Sequence, residues 1–424
     1  MNWISITFFA IAFLVCCTML KRDADFISPA RVFGFAWSIV FGLANLKLSR
    51  LQLDWTLSDW GYVLMGPISF LLGLFVIHMM YVGSRMQSIN EIRQTLRNQK
   101  IDDSRLFNLI ITAFVAYLIG YIVISIVKGP VPLFAPNPSA ARTSFFIFGF
   151  GLLPHTMPVI VFFSIVYHLL ARDNLFRKRI LKAIVFITIL TYLFLLQRYQ
   201  LIMASVTMFT LIYYVTRYLR FRTVMSFVTV GIIIIYSIST LRAGKIIQLA
   251  LYKDSLMKFD HKYAIFTEPY MYLVMNVENF VHSVSKLDHH TFGYYTFNFT
   301  LALTGLKHWI EEYFGIVDTP YVFSGYNTYT LFWTFYRDFG VLGISFVPLA
   351  LGLVVGSVYH AMRRNPTVGL VSFYSIIVFV MGLSFFINLL GYLWFIYIIA
   401  WMIIILRLVR VRNVNPLDRS YAHL

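Results

Sequence analysis

Eleven apolar runs, each near the length that a bilayer core demands, decide what this chain can become. They cover roughly 2–20, 26–46, 60–83, 106–127, 149–171, 180–197, 199–216, 223–241, 338–362, 367–387 and 391–408. No water reaches the middle of a bilayer, so each run has to satisfy its own backbone polar groups, and a helix does this. The sequence therefore predicts an all-α polytopic integral membrane protein with about 11 transmembrane helices. The sixth and seventh runs are short, which predicts tilted or incomplete spans. With 59% hydrophobic and only 12% charged residues, a water-soluble globule is excluded. The first run ends in Lys21, Arg22 and Asp23 rather than in a small-residue cleavage site, so it is expected to stay as a span.

Net charge is +17, but the cations cluster in short links between apolar runs. That pattern orients a membrane protein and excludes nucleic acid as a partner. Alternate links and their flanks carry twenty-one Lys and Arg on one side against five on the other, the five being Lys47, Arg50, Lys128, Arg142 and Arg198. The rich side is cytoplasmic by this rule, which puts the N-terminus outside and the C-terminus inside. Cys16 and Cys17 are adjacent within one apolar run, so they build neither a disulfide framework nor a zinc site.

The organisation that follows is transmembrane helices 1–8 in 1–241, one large outer loop in 242–337, and helices 9–11 with a cytoplasmic tail in 338–424. The loop is too long to be a mere connection and too aromatic to be a tether. Short helices are expected in it, one beginning at Glu268 and Pro269 and one within FTLALTGLKHWIEEYFG. A second outer loop, 128–149, carries Pro130, Pro132, Pro136 and Pro138, which predicts an extended, stiff segment. The cytoplasmic linker 84–105 mixes charges of both signs and is expected on the inner membrane surface. Arg31 is close enough to the cytoplasmic side to snorkel and is given no function. No repeat, Walker sequence, dinucleotide fingerprint or nucleophile elbow occurs.

The stretch Gly325 to Gly343, GYNTYTLFWTFYRDFGVLG, sets an arginine and an aspartate side by side at the start of an apolar run. A helix beginning near Asn327 would put Asn327, Thr330, Thr334 and Asp338 on one polar stripe bordered by Arg337. Counting back about 20 residues from Arg363 and Arg364 places Arg337 and Asp338 at the outer membrane surface. Arg198, in the LQRYQ turn, and Arg242 and Lys245, about 20 residues after Arg222, fall at the same depth. Arginines there suit a lipid-borne phosphate or pyrophosphate, which they bind through paired hydrogen bonds. The plain alternative for each is an interfacial cation that snorkels or pairs with an acid. His289 and His290 lack the spacing of a metal site, so no metal and no cofactor is expected, although a single histidine serves as acid or base. The aromatics Tyr270, Tyr272, Tyr294, Tyr295, Tyr321, Tyr326, Tyr329, Trp333 and Tyr336 fit either sugar stacking or an interfacial belt.

The run NTYTLFWTFYRDFGVLG resembles the N-x-x-T…Y-x-D-F-G-x-x-G signature of the O-antigen polymerase (Wzy) family of oligosaccharide repeat-unit polymerases. YMYLVMNVENF and FGYYTF, earlier in the same loop, and an arginine in a short outer hairpin also resemble that family. The likeness covers about 198–345 by motif and the rest by topology. It implies a GT-C-like glycosyltransferase of the Gram-negative inner membrane with a periplasmic active site. Such an enzyme moves a growing glycan from one undecaprenyl-pyrophosphate carrier to the free sugar end of another carrier-linked repeat unit. It is independent of metal and nucleotide sugar, and works beside a flippase and a chain-length regulator. Carried onto this sequence, Arg198, Arg242 and Arg337 would hold the donor pyrophosphate, with Lys245 close by. Asp338 would orient Arg337 or accept the acceptor proton, with Glu268, Glu278, His289 and His290 as competing bases. Tyr326, Asn327, Tyr329 and Thr330 would line the sugar path, a helix cap being the plain alternative for Asn327 and Thr328.

Three other readings compete. An O-antigen ligase would share the topology, and the NTYT…YRDFG stretch favours the polymerase. A lipid-linked glycan transporter or flippase should show paired halves and mid-membrane charges, neither of which the sequence has. A structural partner of a chain-length regulator would tolerate loss of single arginines.

Overall fold

The structure is a computed structural model that describes residues 3–21, 24–171, 174–217, 226, 248–287, 289–314, 319–409 and 411–413. The described chain is mostly helical and compatible with an all-α membrane protein. Among the described residues, four helical stretches are long and apolar enough to cross a membrane: Leu57–Met80, Asp103–Phe134, Phe150–Leu170 and Leu331–Arg364. Five shorter apolar helices accompany them: Trp3–Met19, Pro29–Ala44, Tyr199–Val215, Val368–Leu383 and Leu393–Leu408. The expected span at 223–241 lies outside the described residues.

Local chemistry sets several helix starts. Pro29 occupies the first turn of its helix, where a missing N–H costs nothing. Thr56 and Asp59 form a capping box at Leu57–Met80, and Ser88 and Glu91 form another at Ile89–Arg97. The proline-rich segment 128–149 is not extended as its composition suggested. Pro132–Phe134 is a 3₁₀ turn and Pro138–Ser144 a short helix, because Pro132 and Pro138 each sit where a helix tolerates proline best.

The chain divides into two compact units. One comprises Met1–Met86, Ala243–Ala361 and Ile377–Phe395. In it, helix Thr267–Val284 packs against Pro29–Ala44 and Leu57–Met80, starting close to the expected Glu268 and Pro269. Phe33, Trp37, Phe41, Phe70 and Phe332 make an aromatic core, tied by the Trp37 indole N–H donating to Ser384 Oγ at 2.9 Å. Backbones touch where Gly73 faces Gly352: a Cβ on Gly73 would lie 2.3 Å from the Leu349 carbonyl, and one on Gly352 would lie 2.2 Å from the Phe70 carbonyl. Small residues allow such contact between apolar helices, which gain by packing rather than by leaving water. The FTLALTGLKHWIEEYFG stretch forms two short helices, Asn298–Thr304 and Leu306–Phe314, separated at Gly305.

The other unit comprises Gln87–Arg242, Met362–Ile376 and Ile396–Leu424. Met157–Leu170 is its centre, packed by Asp103–Lys128, Leu175–Leu193 and Tyr199–Val215, with ten of its residues buried. The linker forms an amphipathic helix, Ile89–Arg97, with Ile92 and Leu96 buried. Its Arg93 and Arg97 donate to the carbonyls of Tyr213 and Val215, supplying cations to the end of Tyr199–Val215. Gln99–Ile101 and Val411–Asn413 pair as antiparallel strands.

Candidate functional site

The Arg337–Asp338 pair is assembled by a broken helix. The helical run Leu331–Arg364 is interrupted at Gly340, whose φ of 62° and ψ of −145° are accessible in practice only to glycine. Three residues on, Gly343 lies so close under the preceding turn that a Cβ there would meet the Phe335 carbonyl at 2.0 Å. The two glycines of DFGVLG therefore have a steric reason. A break also deprives the last carbonyls of the first segment of their usual partners. Loop N–H groups replace them: Thr291 donates to the Arg337 carbonyl and Phe292 to the Asp338 carbonyl, each at 3.1 Å.

Asp338 completes this clasp. Its Oδ1 accepts from the Thr291 hydroxyl at 2.5 Å and from the Tyr295 N–H at 3.1 Å, while Oδ2 accepts from the Thr296 N–H at 2.6 Å. The side chain is 0% exposed. With its oxygens occupied by three donors, this carboxylate positions a loop. It does not pair with its neighbour, for Arg337 turns the other way and donates from Nη1 to the His289 carbonyl at 2.5 Å.

Arg337 is the unusual member of the pair. It is 1% exposed, and among the described residues its Nε–H has no hydrogen-bond partner and no carboxylate lies within ion-pair distance. A buried cation without such a partner is costly, so its persistence calls for a ligand or a role. Around it stand phenols. Burial pushes the Tyr295 hydroxyl above its usual pKa, with Arg337 opposing that rise. Tyr329 is likewise pushed up by burial and held back in part by Arg337. Tyr329 stacks on Trp333 with ring centroids 3.8 Å apart, and the Trp333 indole donates to Ser283 Oγ at 2.7 Å.

The helix carrying this pair starts at Leu331, not near Asn327, so the polar stripe inferred from sequence does not exist. Thr330 precedes it and accepts from the Trp333 N–H at 3.3 Å, which gives the capping role to Thr330 rather than to Asn327 or Thr328. Asn327 is exposed, and the Thr328 hydroxyl donates to Asn276.

Glu278 lies in a second buried polar centre. Its Oε1 accepts from Lys47 Nζ at 2.8 Å and Gln52 Nε2 at 3.1 Å, and its Oε2 from the Leu53 N–H at 3.1 Å and the Trp55 indole at 2.9 Å. Beside it, Asn279 Nδ2 donates to the carbonyls of Tyr326 and Thr328 while its Oδ1 accepts from the Val322 N–H. The VENF segment thus binds 47–55 on one flank and 322–328 on the other. Tyr326 is buried, and the half-buried Glu268 adds to the rise that burial imposes on its pKa.

His289 and His290 are exposed on the clasp loop. The His290 ring covers Gly340, where a Cβ would come within 2.7 Å of Nε2, and meets Tyr336 edge-on at 5.9 Å. Arg198 belongs to the other unit, where it precedes Tyr199–Val215. Its neighbours are pinned: the Tyr192 hydroxyl donates to Gln197 at 2.8 Å, and Gln200 bonds the His155 ring at 2.9 Å. Arg242 and Lys245 lie outside the described residues. Among the described candidates in the first unit, Arg337, Asp338, His289, His290 and Tyr329 come together around the break, whereas Glu278 serves the second polar centre. Comparison with family models, curated proteins and solved structures found no match. Sequence reasoning missed Thr291, Ser283 and the main chain of 291–296, and the signal that points to the loop is the FGYYTF run that begins six residues after Lys286.

Proposed function

We propose that this chain is an O-antigen polymerase, a glycosyltransferase that joins undecaprenyl-pyrophosphate-linked repeat units at the periplasmic face of a Gram-negative inner membrane. The observation that carries the reading is Arg337: a buried guanidinium with, among the described residues, an unpartnered Nε–H and no paired acid, beside the phenols of Tyr295 and Tyr329. An anion is the ligand such a group lacks, and arginine takes phosphate oxygens in a fork. In glycan transfer the bond between the anomeric carbon and the pyrophosphate oxygen breaks, and negative charge grows on the departing pyrophosphate. A fixed cation in a dry pocket stabilises that charge more than it stabilises the intact donor. The acceptor hydroxyl oxygen forms the new bond to the anomeric carbon and gives its proton to a base, while the pyrophosphate leaves with the electron pair. Asp338 and Glu278 have their oxygens occupied by donors, so the exposed His289 and His290 are the better candidates for that role. A flippase and a chain-length regulator would be the partners.

The test is polymer length on lipopolysaccharide gels from cells lacking the gene, complemented with the wild type or with Arg337→Ala at matched expression. Core plus a single repeat in the null and the variant, with a full ladder from the wild type, is the expected result. Loss of even the single repeat would point to a ligase or flippase, and an unchanged ladder in the null would overturn the glycan reading.

A further inference from the structure

Nine aromatics of the loop and the segment after it are candidates for sugar stacking, and their contacts separate them. Tyr270 gives its hydroxyl to the Leu43 carbonyl and Gln52. Tyr336 packs between Tyr62 and Phe280, and Tyr272 between Tyr326 and Phe386. Tyr329 has rings on both sides, Trp333 at 3.8 Å and Tyr321 at 4.9 Å, both near parallel. Trp333 in turn meets Tyr295 edge-on at 5.2 Å. The stack ends at Tyr321, which is half-buried and carries no second ring among the described residues. Tyr295 and Tyr329 feel the Tyr321 hydroxyl, and both feel Arg337.

We propose that Tyr321 forms a subsite for a neutral sugar ring next to the Arg337 anion site, so that this unit takes a glycosyl phosphate as one ligand. This rests on the function proposed above and assigns the sugar nearest the phosphate to a place. The Tyr321 face offers a flat apolar surface to the C–H face of a pyranose. The Tyr295 phenol is an O–H group that both donates and accepts, whereas the Tyr329 hydroxyl already donates to the Pro320 carbonyl and can only accept. Such groups suit sugar hydroxyls, while the phosphate goes to the guanidinium.

The test is binding to the full chain in lipid nanodiscs, where no sugar-based detergent competes. Two probes are used: the undecaprenyl-pyrophosphate-linked repeat unit extracted from cells lacking the gene, and undecaprenyl pyrophosphate without sugar. Tyr321→Ala is expected to weaken the repeat unit about tenfold, the scale of one lost aromatic contact, and to leave the bare carrier unchanged. Tyr321→Phe, which keeps the ring, should bind both as the wild type does, and Arg337→Ala should weaken both. Should Tyr321→Ala not fold, Tyr321→Leu keeps apolar bulk and is expected to show the same selective loss. A Tyr321→Ala or Tyr321→Leu chain that binds the repeat unit as tightly as the wild type, or loses both probes equally, overturns the subsite alone. A wild type that binds neither probe overturns the proposed function and the subsite with it.

Discussion

Glu278 and Arg337 are both buried ionised side chains in the same unit, and they are treated in opposite ways. Glu278 receives four donors and a counter-charge, and Lys47, which supplies the charge, is itself held 4.4 Å over the Trp55 ring. Among the described residues Arg337 meets one carbonyl and the Tyr295 phenol, and no acid. A satisfied buried charge is architecture, since its partners recover the desolvation cost. An unsatisfied one, on the function proposed above, is a site held ready, with donors left for a ligand.

The sharpest way to break this contrast is Arg337→Ala. It is expected to cut polymer formation by at least about a hundredfold, the scale lost with a group that stabilises transition-state charge, with little change in melting temperature. Arg337→Lys should recover little activity, because the fork geometry is gone. A variant that unfolds instead would make Arg337 a second Glu278. The mirror experiment is Glu278→Gln, which strands Lys47 and is expected to cost about 3–5 kcal/mol in thermal or denaturant unfolding. Adding Lys47→Met should return part of that loss.

Gly340→Ala comes next. The backbone angles there cost a side chain about 1–3 kcal/mol, and the new methyl displaces His290. Reduced stability together with reduced polymer length is expected, read on the same gels and melts. Asp338→Asn keeps the shape but turns one accepting oxygen into an NH₂ group. Loosening of the 291–296 loop by about 1–3 kcal/mol should appear as faster amide exchange at Tyr295 and Thr296. The smallest effect is expected from Trp333→Phe, which removes one neutral hydrogen bond to Ser283, worth about 1 kcal/mol in stability.

Much of this architecture is legible in the sequence because apolar runs and caps are local signals. Leu57–Met80 starts at a Thr-x-x-Asp box, and Thr267–Val284 starts beside Glu268 and Pro269. The Arg337–Asp338 pair stands out for the same reason: two charges beside an apolar run are visible by eye. What periodicity hides is the break at Gly340, since glycine is common inside apolar helices and a stripe drawn through it assumes unbroken helical phase. The partners of Glu278 are hidden more deeply. Lys47, Gln52, Leu53 and Trp55 precede it by more than two hundred residues, and nothing in either segment announces the other. The same holds for the face of Tyr321, which differs from Tyr329 by what stacks on it and not by residue type.

The clasp at Asp338 is built largely from main chain: the N–H groups of Thr291 and Phe292 reach the carbonyls of Arg337 and Asp338, and those of Tyr295 and Thr296 reach the carboxylate. Any amino acid but proline supplies the same N–H. Substitution of most of the loop's side chains is therefore expected to cost the clasp little, while Asp338 is constrained by charge and Gly340 and Gly343 by space. A protein made this way preserves its working geometry as its spelling drifts, and kinship among such chains has to be sought in the shape of the break rather than in the letters of the loop.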